Sequence, residues 1–208
     1  YIALGTRVGV LNADAQQNAW LFLRDYRYWV LVGYHLASLA LVWGLTTWIP
    51  KYLVEARGFD IGASGLLIAL PYLLSAIATL LSGSLSDRFA RRAPFCALQM
   101  LGAGVAIFAA ASVASPVLSA ILLAVGMGIW GLGSALVFTI VQRIVPASVI
   151  SSGAGIDNGI ANLGSAFCPA LVGFLIATTG SYHTGMMLLV TMGAIGGLLM
   201  TILSLQHY

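Results

Sequence analysis

Long uncharged runs separated by short charged stretches are the dominant pattern along this chain. A helix that crosses a bilayer needs about 20 predominantly apolar residues, and the runs divide into six predicted spans on that basis. Prolines and glycines mark the divisions inside the longest runs, at Ser115-Pro116 and near Gly180-Ser181. The predicted spans are residues 28–50, 61–86, 93–115, 116–142, 144–180 and 181–208.

The composition places the chain in the membrane class. It is 60% hydrophobic and 7% charged, whereas a soluble domain carries about 25% charged residues. Helices are the element expected, because a helix satisfies its own backbone polar groups in lipid. The net charge of +3 does not indicate nucleic-acid binding, since the basic residues are spread over loops. We therefore predict an all-α membrane protein.

Residues 1–27 form a polar segment, and residues 28–208 hold all six predicted spans. Because the chain begins without Met and opens on a polar segment, we expect a fragment of something longer. Positive charge accumulates on the cytoplasmic side of membrane proteins. In the predicted topology, one side carries two basic residues, Lys51 and Arg57. The other side carries Arg7, Arg24, Arg27, Arg88, Arg91, Arg92 and Arg143. Both termini are thus predicted to be cytoplasmic, in a plasma (inner) membrane.

The densest charge cluster lies between the second and third predicted spans, and reads Gly83-Ser84-Leu85-Ser86-Asp87-Arg88-Phe89-Ala90-Arg91-Arg92. It resembles the loop signature of the major facilitator superfamily, Gly-x-Leu-(Ala/Ser)-Asp-Arg-x-Gly-Arg-(Arg/Lys). Ala90 replaces the usual glycine, which is typical of the repeat copy in the C-terminal half of these transporters. The resemblance implies the C-terminal half of a twelve-helix bundle, built from two three-helix inverted repeats. Residues 1–27 would be the end of the central loop, and an N-terminal six-helix half would be missing.

The same resemblance gives the charged loop a role. It implies that Asp87 meets a helix N-terminus of the other bundle while the cytoplasmic gate is closed. Arg88, Arg91 and Arg92 would hold the loop in place. Gly83 is the first residue of the motif. The alternative is that these charges only set the topology of the chain.

Two further stretches resemble one branch of the superfamily. Thr46-Thr47-Trp48-Ile49-Pro50-Lys51-Tyr52-Leu53 looks like the Trp-(Leu/Ile)-Pro-x-Tyr-Leu end of the seventh helix of organic-anion members. Residues 152–164, followed by Pro169, are similar to the eleventh helix of the anion:cation symporter family, with Ser165 and Cys168 replacing two glycines. Branches that carry aromatic acids or organophosphates share parts of these patterns.

Polar groups inside predicted spans are the candidates for transport, because they usually face the bundle interior or a wet cavity. Asp157, the only acid well inside a predicted span, is the candidate coupling site. Its alternative is an acid stabilised near a helix N-terminus. Asn158 and Asn162 share a helix face and can donate to a carboxylate, or can bond between helices instead.

The other substrate-cavity candidates are Tyr34, His35, Ser38, Tyr72 and Trp130. His35 can change its charge near neutral pH or can act as a structural hydrogen bonder. Trp130 can stack on a substrate or fill space among four glycines. The sequence offers no credible metal-ligand, nucleotide-binding or hydrolase motif, so neither an enzyme nor a cofactor is predicted.

We therefore expect a secondary transporter that carries a small organic anion, such as a sugar acid or carboxylate, with a proton or another cation. Alternating access would be its mechanism. Since no Arg or Lys lies within these spans, the anion's basic partner should come from the missing half, or His35 must serve. A neutral or drug-like substrate is one alternative, and a non-transporting receptor or assembly subunit of the same fold is another.

Overall fold

The computed structural model describes residues 20–88 and 92–205. Every regular element within these two ranges is helical, and six stretches are long and apolar enough to cross a membrane. The predicted fold class and number of spans are therefore confirmed. In chain order the spans are Tyr26–Lys51 with the wide turn Tyr52–Ala56, Ile61–Arg88, Ala93–Ser112, Pro116–Gly131 with Leu136–Ile144, Ile150–Ser165 with Cys168–Thr179, and Tyr182–Ser204.

Two helix ends differ from the predicted loops. The first span continues past Lys51 to Ala56, and Gly58 then takes a left-handed φ of 71°. The second span remains helical through Arg88, so the backbone of Asp87 lies in its last turn. The reason is general: apolar length marks the part of a helix that lies in hydrocarbon, while the backbone stays helical into the headgroup layer. Residues 1–19, 89–91 and 206–208, and with them Arg7 and Arg91, lie outside the described residues.

Asp25 begins the first span. Its carboxylate accepts the backbone N–H of Arg27 at 3.0 Å, which satisfies one of the free donors of the first turn. The Arg27 side chain donates to the same carboxylate and holds the pKa of Asp25 below its ordinary value. At the other end of the span, Arg57 donates to Ala110 O at 2.9 Å and to Ala111 O at 3.3 Å. A cation on those carbonyls stabilises the C-terminal end of the third span.

Proline accounts for two irregularities in the spans. Pro50 has no N–H to donate to Thr46 O, and the Tyr72 hydroxyl of the second span donates to that carbonyl at 3.0 Å instead. The fifth span breaks between Ser165 and Cys168, just before Pro169, since proline removes a helical bond and its ring clashes with the carbonyl four residues earlier. Backbone groups freed in this way need new partners in a membrane.

The packing of the spans has an internal symmetry. The third and sixth spans form the most extensive pair; the first span packs on the sixth and the fourth on the third. The second span then packs on the fourth, and the fifth on the first. If the first span is exchanged with the fourth, the second with the fifth and the third with the sixth, this set of pairs is unchanged. Because each repeat has three spans, an odd number, the two repeats run in opposite directions across the membrane, as predicted.

Small residues bring the central pair together. A Cβ on Gly193 of the sixth span would lie 2.9 Å from Gly104 Cα of the third, closer than real Cβ contacts. Large side chains such as Met100 and Leu189 are fully buried beside this approach. On the periphery, by contrast, Leu80 and Leu198 are exposed, as expected where lipid is the solvent. The third and sixth spans therefore form the apolar support of the bundle, with Gln99 as a buried polar exception in the third.

Candidate functional site

A cavity of about 190 Å³ lies between the first, fourth and fifth spans. It brings together six of the seven predicted cavity residues. Tyr72, the seventh, is not part of the lining, because its hydroxyl is bonded to Thr46 O nearer the Lys51 end of the first span. The lining consists of Tyr34, His35, Ser38, Leu39, Trp130, Ser134, Val137, Phe138, Asn158 and Asn162. A hollow of about 220 Å³ between the third and fourth spans is apolar apart from Gln99.

Asp157 and His35 form a buried pair at the edge of the cavity. His35 Nδ1 lies 2.8 Å from Asp157 Oδ2, and the side chains are 7% and 0% exposed respectively. The other carboxylate oxygen, Oδ1, is buried and has no hydrogen-bond partner among the described residues. The His35 ring also packs edge-on against Phe138, with centroids 5.9 Å apart. A buried carboxylate is costly unless it is hydrogen-bonded or paired, and His35 is its hydrogen-bond partner among the described side chains.

The depth of these two residues depends on where their helices begin. The first and fifth spans run in the same direction, and His35 lies nine residues after Tyr26 while Asp157 lies ten residues after Ala147. Nearly equal offsets at 1.5 Å per residue put the two side chains at nearly the same depth. The spans predicted from the sequence begin at residues 28 and 144, so their offsets are unequal and the sequence did not indicate this pairing.

A second hydrogen bond joins the same two spans closer to their N-terminal ends. The Tyr28 hydroxyl donates to Gly153 O at 2.6 Å, one helical turn before Asp157. Tyr28 is fully buried there. This bond fixes the first and fifth spans against each other on the N-terminal side of the Asp157–His35 pair.

Gln99 is the residue that the sequence reasoning missed. Its Oε1 accepts from the Tyr34 hydroxyl at 2.9 Å, and its Nε2 donates to Trp130 O at 2.7 Å. The Trp130 indole in turn donates to Ser38 Oγ at 2.9 Å. Because Tyr34 and Ser38 are one turn apart, these four residues close a ring across the first, third and fourth spans. The ring lies where the fourth span is interrupted between Gly131 and Leu136.

The ring fixes the orientation of two predicted cavity residues. Trp130 is held through its indole N–H and its carbonyl, and Ser38 accepts the indole bond. A tryptophan held at both points presents its ring to the cavity in one orientation. The available signal for Gln99 was that it is the only amide in the third span, and a buried amide must find partners.

Asn158 and Asn162 line the side of the cavity that the bundle leaves exposed. Asn162 Nδ2 donates to both the side-chain and backbone oxygens of Asn158, each at 2.9 Å. Both residues are exposed, and within the described ranges they bond to each other rather than to another span. They remain available to a ligand from that open side, and their role in the cavity stays a prediction.

The predicted switch loop is only partly described. Gly83, Asp87 and Arg88 belong to the last turns of the second span, and Arg92 is the residue before the third span begins. Arg91 lies outside the described residues. The role of this loop stays a prediction as well. Among the residues that the structure describes, no group of three or more His, Cys, Asp or Glu side chains could hold a metal ion.

Comparison with known proteins identifies the family. Residues 35–207 match the Major Facilitator Superfamily. The chain is 29% identical over 183 residues to a probable galactarate/D-glucarate transporter of Bacillus subtilis, a match that covers 82% of this chain and 39% of that protein. It is 30% identical over 208 residues to a probable sulfoacetate transporter of Cupriavidus necator, covering 92% of this chain and 47% of that protein.

A quinolone resistance transporter of Acinetobacter baumannii is similar too, at 28% identity over 165 residues, covering 79% of this chain and 38% of that protein. The chain thus spans less than half the length of these curated relatives. The match over residues 35–207 confirms the resemblance that the charged loop indicated, and relatives named for sugar acids and sulfoacetate agree with the organic-anion branch. The chain belongs to the major facilitator superfamily, a family of membrane transporters rather than enzymes.

Proposed function

We propose that this chain forms part of a secondary active symporter that moves a small organic anion, such as a sugar acid or carboxylate, together with a proton or another cation. The observation that supports this most directly is the cavity between the first, fourth and fifth spans. Its lining combines a histidine held by a buried carboxylate with two exposed asparagines and an oriented tryptophan. Substrate sites in transporters of this architecture lie near the bilayer midplane between helices.

The chemistry of the lining favours an acid that also carries hydroxyls. Asn158 and Asn162 offer amide donors and acceptors, which suit the hydroxyls and carboxylate oxygens of a sugar acid. The described lining holds neither lysine nor arginine, so His35 is the group on this side that can become positive. Relatives named for galactarate, D-glucarate and sulfoacetate support the same class of substrate.

A second six-helix half would complete the site. The cavity is open on the side of Asn158 and Asn162, where the fifth span is largely exposed. The curated relatives are more than twice as long as the part this chain matches. An N-terminal half facing this opening would close the cavity, and rocking of the two halves would give alternating access.

We also propose the orientation that the charges indicate, with both ends of the bundle cytoplasmic in the plasma (inner) membrane and residues 1–27 as the end of a central loop. Asp87 would then act as the latch of a cytoplasmic gate. Cysteine placed at Ala90 should be labelled only from the cytoplasm, and cysteine placed at Gly58 only from outside. The opposite labelling pattern would reject this orientation.

The test of function is uptake by the whole transporter in proteoliposomes. Labelled D-glucarate and sulfoacetate serve as probes, and D-glucose serves as a neutral control. We expect saturable uptake of at least one anion, accelerated by an inward proton or sodium gradient, and no uptake of glucose. A reconstituted, monodisperse protein that takes up neither anion under either gradient would reject the proposal.

A drug-like substrate is the second candidate. The similarity to a quinolone resistance transporter favours it, and so does the apolar part of the lining around Phe138 and Val137. The same proteoliposomes loaded with a fluoroquinolone distinguish the two functions. Proton-driven export of the fluoroquinolone without anion uptake would favour the drug-like substrate.

A further inference from the structure

We infer that His35 is the point at which the proton and the anion meet. Asp157 holds the imidazole through Nδ1, and the protonated ring is the positive charge that binds the substrate carboxylate. This inference rests on the proposed anion transport, and it identifies the coupling ion as a proton. It also assigns Asp157 to holding the charge on His35 rather than to contacting the substrate.

The geometry gives the two ring nitrogens different tasks. Nδ1 is 2.8 Å from Asp157 Oδ2. An ionised carboxylate can only accept, so we assign the hydrogen to Nδ1 in both charge states of the ring. Nε2 forms no hydrogen bond within the described ranges, and the ring borders the cavity. A proton that arrives from water in the cavity therefore adds to Nε2. Because His35 lines the cavity, we place the bound carboxylate beside that new N–H.

Few other titratable groups lie around the pair in the part of the chain that the structure describes. The titratable neighbours from the first span are the tyrosines Tyr28 and Tyr34, and Cys96 of the third span lies beside Tyr34. The fourth span contributes no charged side chain to the described lining, and the fifth contributes only Asp157. The charged or titratable residues of the sixth span, Tyr182 and His183, lie at its far end.

Charge counting then gives the coupling. With His35 neutral and Asp157 ionised, the site carries one negative charge and repels an anion. Protonation at Nε2 brings the pair to zero, and the arriving carboxylate returns it to one negative charge. The pair therefore carries the same net charge when empty as when loaded with one proton and one carboxylate; the second carboxylate of a diacid such as D-glucarate lies beyond the pair and is not counted in this balance. Binding of the anion thus requires one proton, which leaves when the carboxylate leaves.

Asp157 supplies a fixed position and a compensating charge for the ring. Its Oδ1 is buried without a partner among the described residues, and a buried charge that loses its partner is strongly destabilising. The carboxylate therefore holds the ring through Nδ1 and leaves Nε2 as the nitrogen that can exchange a proton with the cavity.

The test measures D-glucarate affinity of the purified whole transporter between pH 5.5 and 8.5, with uptake in proteoliposomes alongside. For the wild type, we expect affinity to fall about tenfold per pH unit on the alkaline side, as for one linked proton. His35→Gln should flatten this dependence to less than about twofold and abolish proton-driven accumulation. Asp157→Asn, which removes the carboxylate that holds Nδ1, should weaken D-glucarate binding while the protein remains monodisperse.

Two further variants separate the proposed role from misfolding. His35→Lys carries a fixed charge, so it should bind D-glucarate equally well across the pH range and exchange it without accumulating it. His183→Gln, at the exposed histidine of the far end, should behave as the wild type. Wild-type pH dependence in a monodisperse His35→Gln protein overturns this inference and leaves anion transport standing. A wild type that neither binds nor transports an anion overturns both.

Discussion

Replacing Gly133 by alanine tests whether Gln99 holds the broken fourth span in place. A Cβ at position 133 would lie 1.9 Å from Gln99 Oε1 and 2.5 Å from its Cδ. The amide would have to move by more than an ångström, and its bonds to the Tyr34 hydroxyl and Trp130 O would break. Gly133 does not have a positive φ, so the backbone itself tolerates alanine.

The expected cost follows from these contacts. Two interhelical side-chain bonds in a membrane contribute about 0.6 kcal/mol each. The buried polar groups left without partners add about 1–3 kcal/mol, and alanine returns at most about 1 kcal/mol in backbone entropy. The net destabilisation is therefore about 1–3 kcal/mol, which corresponds to a fall in Tm of about 2–12 °C for a chain of this size.

The assay is thermal unfolding of the purified protein in detergent, with a double-mutant cycle. Gly65→Ala is the matched control, because a Cβ there meets nothing within 4 Å, and it should not lower the Tm. Gln99→Ala removes the same two bonds and also removes the clash. The double variant should therefore be no less stable than Gln99→Ala alone. Additive losses in the double variant would refute the reasoning.

Three other variants test separate contacts. Tyr72→Phe removes the donor to Thr46 O and should lower the free energy of unfolding by about 1 kcal/mol. In a Pro50→Ala background the backbone N–H of residue 50 can bond to Thr46 O, so the same change should have almost no effect. Equal Tm losses in both backgrounds would contradict this account. Arg57→Gln removes the cation from the C-terminal end of the third span and should lower the Tm by an amount matching about 0.3–1 kcal/mol, whereas an unchanged Tm would show that the cap contributes nothing. Asp87→Asn should slow uptake about tenfold, as a gate shift of about 1.4 kcal/mol would, with little change in substrate affinity; wild-type uptake at normal expression would remove the latch.

The six spans were predictable because apolar length is set by the bilayer and can be read without tertiary information. The helix ends were less predictable, since Lys51 and Glu55 mark the membrane surface rather than the end of hydrogen bonding. Pro169 is part of a motif visible in the sequence, but the break that it causes in the fifth span is visible only in the structure. Partner choice, such as Tyr72 with Thr46 O, depends on packing between distant segments.

The candidate site was predictable as a set of residues and not as a set of contacts. Polar side chains are rare in these spans, so Tyr34, His35 and Ser38 were identifiable from their cost in lipid. The pairing of His35 with Asp157 needed the relative depth of two spans 122 positions apart. Gln99 was not among the predicted candidates, although a lone amide in a span of small and apolar residues has to find a partner.

The close approach of Gly104 and Gly193 also affects how the bundle responds to lipid. The third span has 20 residues and the sixth has 23, about 30 and 35 Å at 1.5 Å per residue, close to the hydrocarbon thickness. The first and fifth spans, with 31 and 33 residues, are long enough to tilt in a thinner or thicker membrane. The glycine contact ties the two short spans together and leaves them little length to spare. A change in lipid chain length should therefore create a hydrophobic mismatch at this central pair before it does so at the longer spans. The longer spans should adapt by tilting around the pair.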